Sequence, residues 1–216
     1  LKVQITSWPY QQHAVVATVA TEKPHHQTAY QVFNPDGPLA FLPLRDNHQC
    51  SIVWSTADAH AEQLVNLTET EFNQALTKAF AHHLGEVQLL SQRQKFPLRM
   101  RHTKQYVGSN WLLMGDAAHT IHPLAGLGLN IGLADVANWL RLSSLSPTTT
   151  SQKRWLKAYE RQRKTEVWQD ILLMQTFSSG FKNMPLPITL LRGAGMHLCN
   201  QFLPIKRFFM KHASGL

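Results

Sequence analysis

"LLMGDAAHTIHPLAGLGLNIGLADV", residues 112–136, decides how this chain is read. Inside an apolar run it carries Asp116, His119, His122, Pro123 and Asp135, together with Gly115, Gly126, Gly128 and Gly132. A buried strand or helix tolerates few such groups, because each polar atom needs a partner and each glycine costs backbone entropy. The spacing predicts strand, sharp turn, loop and helix. Residues 110–115, "NWLLMG", are continuously apolar after the first position, as a buried strand requires. Gly115 ends that strand and Asp116 falls at its carboxyl edge, where ligands bind in layered α/β folds. A carboxylate there accepts hydrogen bonds from two hydroxyls, so a ribose or ribityl chain suits it. Pro123 stiffens the loop, while Gly126 and Gly128 let backbone approach a flat ligand. A helix is expected over 127–142, and its first N–H groups and positive dipole end favour negative charge. Asp135, Asn138 and Arg141 recur along it at spacing three and the other faces are apolar, which predicts a largely buried helix.

The dinucleotide fingerprint G-x-G-x-x-G is absent here, since Ile131 stands at the third glycine position. On spacing alone two readings stay open: a ligand loop at a helix N-terminus, or a loop shaped only by packing.

The rest of the chain sets the frame. Its 216 residues suffice for one large domain or two small ones, and 44% hydrophobic content is ordinary for a globular protein. The net charge of +8, from 21 basic and 13 acidic side chains, leans toward anionic partners: a phosphorylated cofactor, a membrane surface or nucleic acid. Nucleic acid is set aside, because no recognition motif and no ordered interleaving of aromatic with basic residues accompanies the charge. Cys50 and Cys199 lie far apart and form neither a disulfide framework nor a thiolate cluster. Residues 121–140 approach membrane-span length, but Pro123, Asp135, Asn138 and the glycines exclude a lipid-facing helix. No secretory signal opens the chain, and it starts at Leu1, which reads as part of something longer.

The first hundred residues read as strands with one helix. Strands are expected at 14–21, 29–34, 39–44, 50–56, 86–91 and 96–102, with turn chemistry at "NPDG" (34–37) and "RDNH" (45–48). Thr68 and Glu71 make a capping box, and Phe72, Leu76, Phe80 and Leu84 follow at helical spacing, giving a helix over 69–84 ended by Gly85. After a linker at 143–151, a long helix is expected over 152–178, then two shorter helical segments beyond "MPLP" (184–187). His119 and His122 have an H-x-x-H look, but Pro123 argues against the helix a metal pair wants, so loop packing and hydrogen bonding are preferred, with a direct proton role in catalysis as the next alternative. The pairs His25–His26 and His82–His83 read as solvated surface, as do the basic clusters at 93–104 and 153–164. Near the end, Ile205, Phe208 and Phe209 share a helical face among Lys206, Arg207 and Lys211. That face either packs on the long helix or docks on a lipid surface.

The stretch from Gly115 to Asn130 resembles the second flavin-binding motif of the aromatic-ring flavoprotein monooxygenases, the p-hydroxybenzoate hydroxylase class, fitting G-D-A-A-H-x-x-x-P-x-x-G-x-G-x-N at every position. Within that class the chain looks most like the aerobic ubiquinone-pathway hydroxylases, the 2-octaprenylphenol hydroxylase branch especially. Further likeness lies in "FLPL" (41–44), "FPLRMRHTKQYVGSNWLLMGDAAH" (96–119), "YERQRK" (159–164) and "FFMKHASGL" (208–216).

The resemblance implies an α+β fold: a substrate-binding β-rich domain with one helix over 1–104, the last strand, flavin loop and helix of the FAD domain over 105–143, and a helical region over 144–216. It implies that Asp116 binds the ribityl hydroxyls of FAD, that Pro123 lies beside the flavin ring, and that Gly126, Leu127, Gly128, Leu129 and Asn130 bring backbone N–H groups to its anionic edge. It implies a hydroxylase using NADPH or NADH, O2 and a prenylated phenol, peripheral on the cytoplasmic side of the inner membrane, with other ubiquinone-pathway enzymes as partners. "FLPL" and strand 96–102 are pointed to for the substrate; no catalytic base and no metal site is assigned. The family's N-terminal strand–G-x-G-x-x-G–helix unit and its mid-chain Asp-Gly motif are not in these residues. The chain is therefore expected to be a C-terminal portion that does not hold FAD tightly on its own, for want of a pyrophosphate cradle. The alternative is a non-catalytic piece with a structural or assembly role.

Overall fold

The structure is a computed structural model and describes residues 3–121, 128–144 and 149–180, then 193, 195, 197–199 and 201–214. The fold is α+β, with antiparallel strands and flanking helices. Two compact units emerge: residues 9–98, and residues 1–8 together with 99–216.

The first unit is built on β1 (Ile5–Thr21), β2 (Tyr30–Asn34), β3 (Gly37–Pro43) and β4 (Gln49–Ala57), paired in the order β2-β3-β4-β1. Register follows from period-two burial: Val15 lies opposite Trp54, Ala17 opposite Ile52 and Val19 opposite Cys50. On the other side of β4, Leu39 and Phe41 face Trp54 and Ile52. These side chains point one way and are covered by helices α1 (Asp58–Asn66) and α2 (Glu69–Ala79). Phe41 stacks on Phe80 at 3.9 Å between ring centroids. Burying each such ring contributes roughly 1.5–3 kcal/mol. β5 (Val87–Leu89) pairs with the end of β1, and β6 (Gln94–Thr103) leads out of the unit.

Three expectations change here. β1 begins at Ile5, not at residue 14, because its first half is mostly exposed and carries no apolar run. Helix α1 was not expected: it is nine residues long, lacks a side-chain cap and buries only Ala61 and Leu64, too little periodicity to read. The Thr68–Glu71 capping box is present, but α2 stops at Ala79. Ala81 and His82 then take left-handed backbone, and the turn still delivers Phe80 and Leu84 to the core. Gly85 closes the turn at φ +74°, where a Cβ would collide with Glu22.

His25 also departs from the surface reading. It is buried, its Nε2–H donating to the Asp46 carbonyl at 2.9 Å and its Nδ1 accepting from the Gln27 N–H at 3.0 Å. His26, His82 and His83 are exposed. Cys50 is buried in this core, and burial pushes its thiol up to about 11.

In the second unit the end of β6 pairs with the short β7 (His119–Thr120), placing His102 opposite His119. A single 3-10 turn, Gly115–Ala117, precedes β7. Helices α3 (Gly128–Ser144), α4 (Thr149–Gly180) and α5 (Leu203–Ser214) follow. "NWLLMG" is not the buried strand expected. It holds one isolated bridge, Val107 to Leu112, and residues 111–115 are only half-buried. An apolar run becomes a strand only where strands lie alongside, and among the described residues only the short segment at 106–108 does.

Helix α3 departs from its expectation. Its buried residues are Ile131 and Asp135, and of the polar side only Asp135 is fully buried, Asn138 being half-buried and Arg141 exposed, while Leu129, Leu133, Val136 and Leu140 are exposed. A helical wheel fixes which residues share a face, not which face finds a partner.

Candidate functional site

The turn at Gly115–Asp116 sits against α3. Gly115 adopts φ +55°, and a Cβ on Gly132 would lie 3.5 Å from the Gly115 Cα, so two glycines allow turn and helix to touch. Beneath the turn is a buried ionic cluster. The Asp135 carboxylate accepts the Gly115 N–H at 2.7 Å and the His119 Nε2–H at 2.8 Å, both on Oδ2. Its Oδ1 accepts from Arg163 Nε at 2.5 Å. Arg163 also donates to the Ile131 carbonyl at 3.0 Å and pairs with Glu166. Asp135, His119 and Arg163 are each at most 3% exposed.

Burial by itself would raise the Asp135 pKa, but the hydrogen bonds from His119, the Gly115 N–H and Arg163 outweigh it and hold the carboxyl below its ordinary range. Burial opposes the Arg163 charge, and Asp135 more than compensates, so the guanidinium stays protonated. Next to this cluster, Tyr106 donates its hydroxyl to His102 Nε2 at 3.1 Å. Burial, then Lys164 and His119, push the His102 pKa down, so the ring is neutral and can accept. Burial raises the Tyr106 hydroxyl far above its usual range, keeping the proton it donates.

Asp116 lies in the middle of this turn, exposed, and its side chain makes no hydrogen bond among the described residues. Gly128, Leu129 and Asn130 form the first turn of α3, with Leu129 74% exposed. Pro123, Gly126 and Leu127 lie outside the described residues. An unpartnered carboxylate on a turn whose neighbours are fixed, close to a helix N-terminus, suits a ligand with hydroxyls to donate and negative charge to place. The residues therefore fit the ribityl and ring portions of a flavin.

Elsewhere the sequence reading is mixed. Of "FLPL", Phe41 is a core residue, while Leu42 and Leu44 are exposed. Phe96 on β6 is 51% exposed. Two basic residues read as solvated have structural partners instead: Arg93 donates to the Leu64 and Leu67 carbonyls, and Arg163 joins the buried cluster. Sequence reasoning missed the Asp135–Arg163 pair, although an acid in an apolar helix signals a buried cation. Among the described residues no group of three His, Cys, Asp or Glu could hold a metal ion. No described helix is long and apolar enough to cross a membrane.

Comparison with known proteins places the chain in a family. A family model described as "FAD binding domain" matches residues 3–172. The chain belongs to that family. Among curated proteins, it is 35% identical to the 3-demethoxyubiquinol 3-hydroxylase of Escherichia coli, over 99% of this chain and 55% of that protein. It is 32% identical to the human ubiquinone biosynthesis monooxygenase COQ6, over 98% and 53%. The chain thus spans about half the length of the curated relatives it matches. Among solved structures, the p-nitrophenol 4-monooxygenase PnpA of Pseudomonas putida superposes with a TM-score of 0.72 over 99% of this chain and 55% of that one, at 15% identity. That likeness speaks for the fold.

Proposed function

We propose that this chain carries the substrate-side sheet and the flavin turn of an FAD-dependent hydroxylase of ubiquinone synthesis, acting on a prenylated phenol with O2 and with NADPH or NADH as reductant. The exposed Asp116 carboxylate, without a side-chain partner among the described residues, on a turn anchored from beneath, carries this reading. The names of the relatives support the pathway. Bound FAD would supply the redox chemistry that activates O2. The chain's own part is to bind and orient. Asp116 accepts the ribityl hydroxyls, the first turn of α3 around Gly128, Leu129 and Asn130 turns backbone N–H groups toward negative charge on the ring, and Pro123, Gly126 and Leu127 complete that loop. Exposed Leu42, Leu44 and Phe96 are apolar surface of the kind a prenyl chain covers.

In this reading the cradle for the pyrophosphate of FAD lies outside these 216 residues. The exposed stripe of Leu129, Leu133, Val136 and Leu140 along α3 supports this, since single-chain surfaces rarely leave such a stripe uncovered. The purified chain, mixed with FAD and passed through gel filtration, should emerge without a flavin absorption band, and a form carrying the N-terminal unit should retain it. A stoichiometric flavin band on the 216-residue chain overturns the division of labour; no band even with the N-terminal unit overturns the flavin assignment. If instead the chain forms stable oligomers without cofactor, the assembly role is favoured.

Contact with the cytoplasmic face of the inner membrane belongs to the same proposal, as does association with other enzymes of the pathway. In α5, Leu203 and Met210 are more than half exposed, as is Phe202 just before it, beside exposed Lys206 and Arg207. Phe208 and Phe209 have side chains outside the described residues, so the face shared with Ile205 is only partly visible. The chain should sediment with anionic vesicles at low salt and release as salt rises. Failure to sediment at low salt removes the membrane contact.

A further inference from the structure

We propose that Asp135 is a positioning residue for the flavin turn: its buried carboxylate fixes the backbone on both sides of Asp116. This rests on the reading of Asp116 as a flavin ligand.

A carboxylate with no exposed surface must have every strong interaction satisfied, and Asp135 takes three donors. Joining α3 to α4 needs only the bond from Arg163. The other two donors, the Gly115 N–H and the His119 ring, flank Asp116 in sequence, one before it and one after. The left-handed φ of Gly115 belongs to the same local geometry as its short N–H bond to α3, and the bare Cα of Gly132 lets the turn lie close. His119 is held a second way, through β7, where it faces His102. Asp116 has no side-chain partner of its own among the described residues, so the direction of its carboxylate follows from the backbone that carries it. His119, the Gly115 N–H and Arg163 together keep Asp135 ionised, and an ionised carboxylate is the state that accepts three hydrogen bonds at once.

The test uses the full-length protein titrated with FAD, read by flavin fluorescence and by the circular dichroism of the bound flavin, with apo-protein melting measured beside each variant. Asp116→Ala should loosen FAD. Asp135→Asn and His119→Leu should raise the Kd about tenfold or more, the loss of one charge-assisted hydrogen bond's worth of placement. His119→Gln, which retains an N–H donor, should recover most of the affinity and the native flavin dichroism. If Asp135→Asn does not fold, the His119 pair still decides. Folded His119→Leu and Asp135→Asn with native Kd and native dichroism, alongside an Asp116→Ala that has lost FAD, would confine Asp135 to joining helices. An Asp116→Ala of native affinity would sink the flavin reading, and this proposal with it.

Discussion

The two units of this chain solve the burial problem in opposite ways. In residues 9–98 the interior is oil: Val15, Leu39, Phe41, Ile52, Phe72, Leu76 and Phe80 meet face to face, and charge stays outside. In the region of α3 and α4 the most buried side of a helix carries Asp135, held by His119 and Arg163, while leucines on the same helix stand in solvent. An apolar core needs only to exclude water. An ionic core needs directed partners, and what it gains is geometry: it places the backbone at Gly115 within hydrogen-bond tolerance. The first arrangement stabilises, and the second positions.

The contrast can be broken from either side by thermal and urea unfolding. Phe80→Ala should cost about 3–5 kcal/mol, because it removes a ring stacked on Phe41 and leaves a cavity. Arg163→Leu should cost a comparable but slightly smaller amount, about 3 kcal/mol, by leaving the Asp135 charge buried without its cation. That second loss should shrink in acid. The folded-state pKa of Asp135 is depressed, so its contribution is fully present above the unfolded carboxyl value of 3.8 and is lost as the pH falls through the folded value. Phe80→Ala should show no such dependence.

Smaller effects sharpen the picture. His102 is buried and neutral with a lowered pKa, so the native state binds fewer protons than the unfolded chain just below pH 6.5. Stability should therefore decline as the pH drops from 6.5 toward the folded value, and His102→Gln should flatten that limb of the pH profile. Smallest of all, Leu133→Gln should change stability by less than about 0.5 kcal/mol, since the side chain is already 57% exposed. A loss of more than about 1 kcal/mol there would mean that the stripe on α3 is covered in this chain.

How much of this was legible beforehand differs along the chain. Apart from the exposed first half of β1, the strands of the first unit could be placed within a few residues because one face of each is buried, and period two then writes itself into the sequence. The capping box at Thr68 and Glu71 is local chemistry and reads without any fold. Helix α1 could not be seen, because two buried residues in nine make no period. "NWLLMG" was misread for the converse reason: its apolar character is real, but strand formation depends on neighbours that sequence does not name. His25 looked like surface because a histidine pair in a turn is usually wet; the Asp46 carbonyl and the Gln27 N–H, one on each ring nitrogen, make its burial tolerable.

At the site, the sequence by itself determined the kind of chemistry. Residue types and spacing from Gly115 to Asn130 gave a ligand turn before a helix, and the resemblance of that motif to the flavoprotein monooxygenases gave the expectation of a flavin. It also put three polar residues on one side of α3. Which side of α3 is buried, and that Asp135 meets both Gly115 and His119, only the tertiary structure decided. Spacing along one helix is a one-dimensional pattern, and it fixes relative direction. A buried charge needs donors that arrive from elsewhere in the chain, here 16 to 28 residues away in sequence, and those meet only when the elements pack.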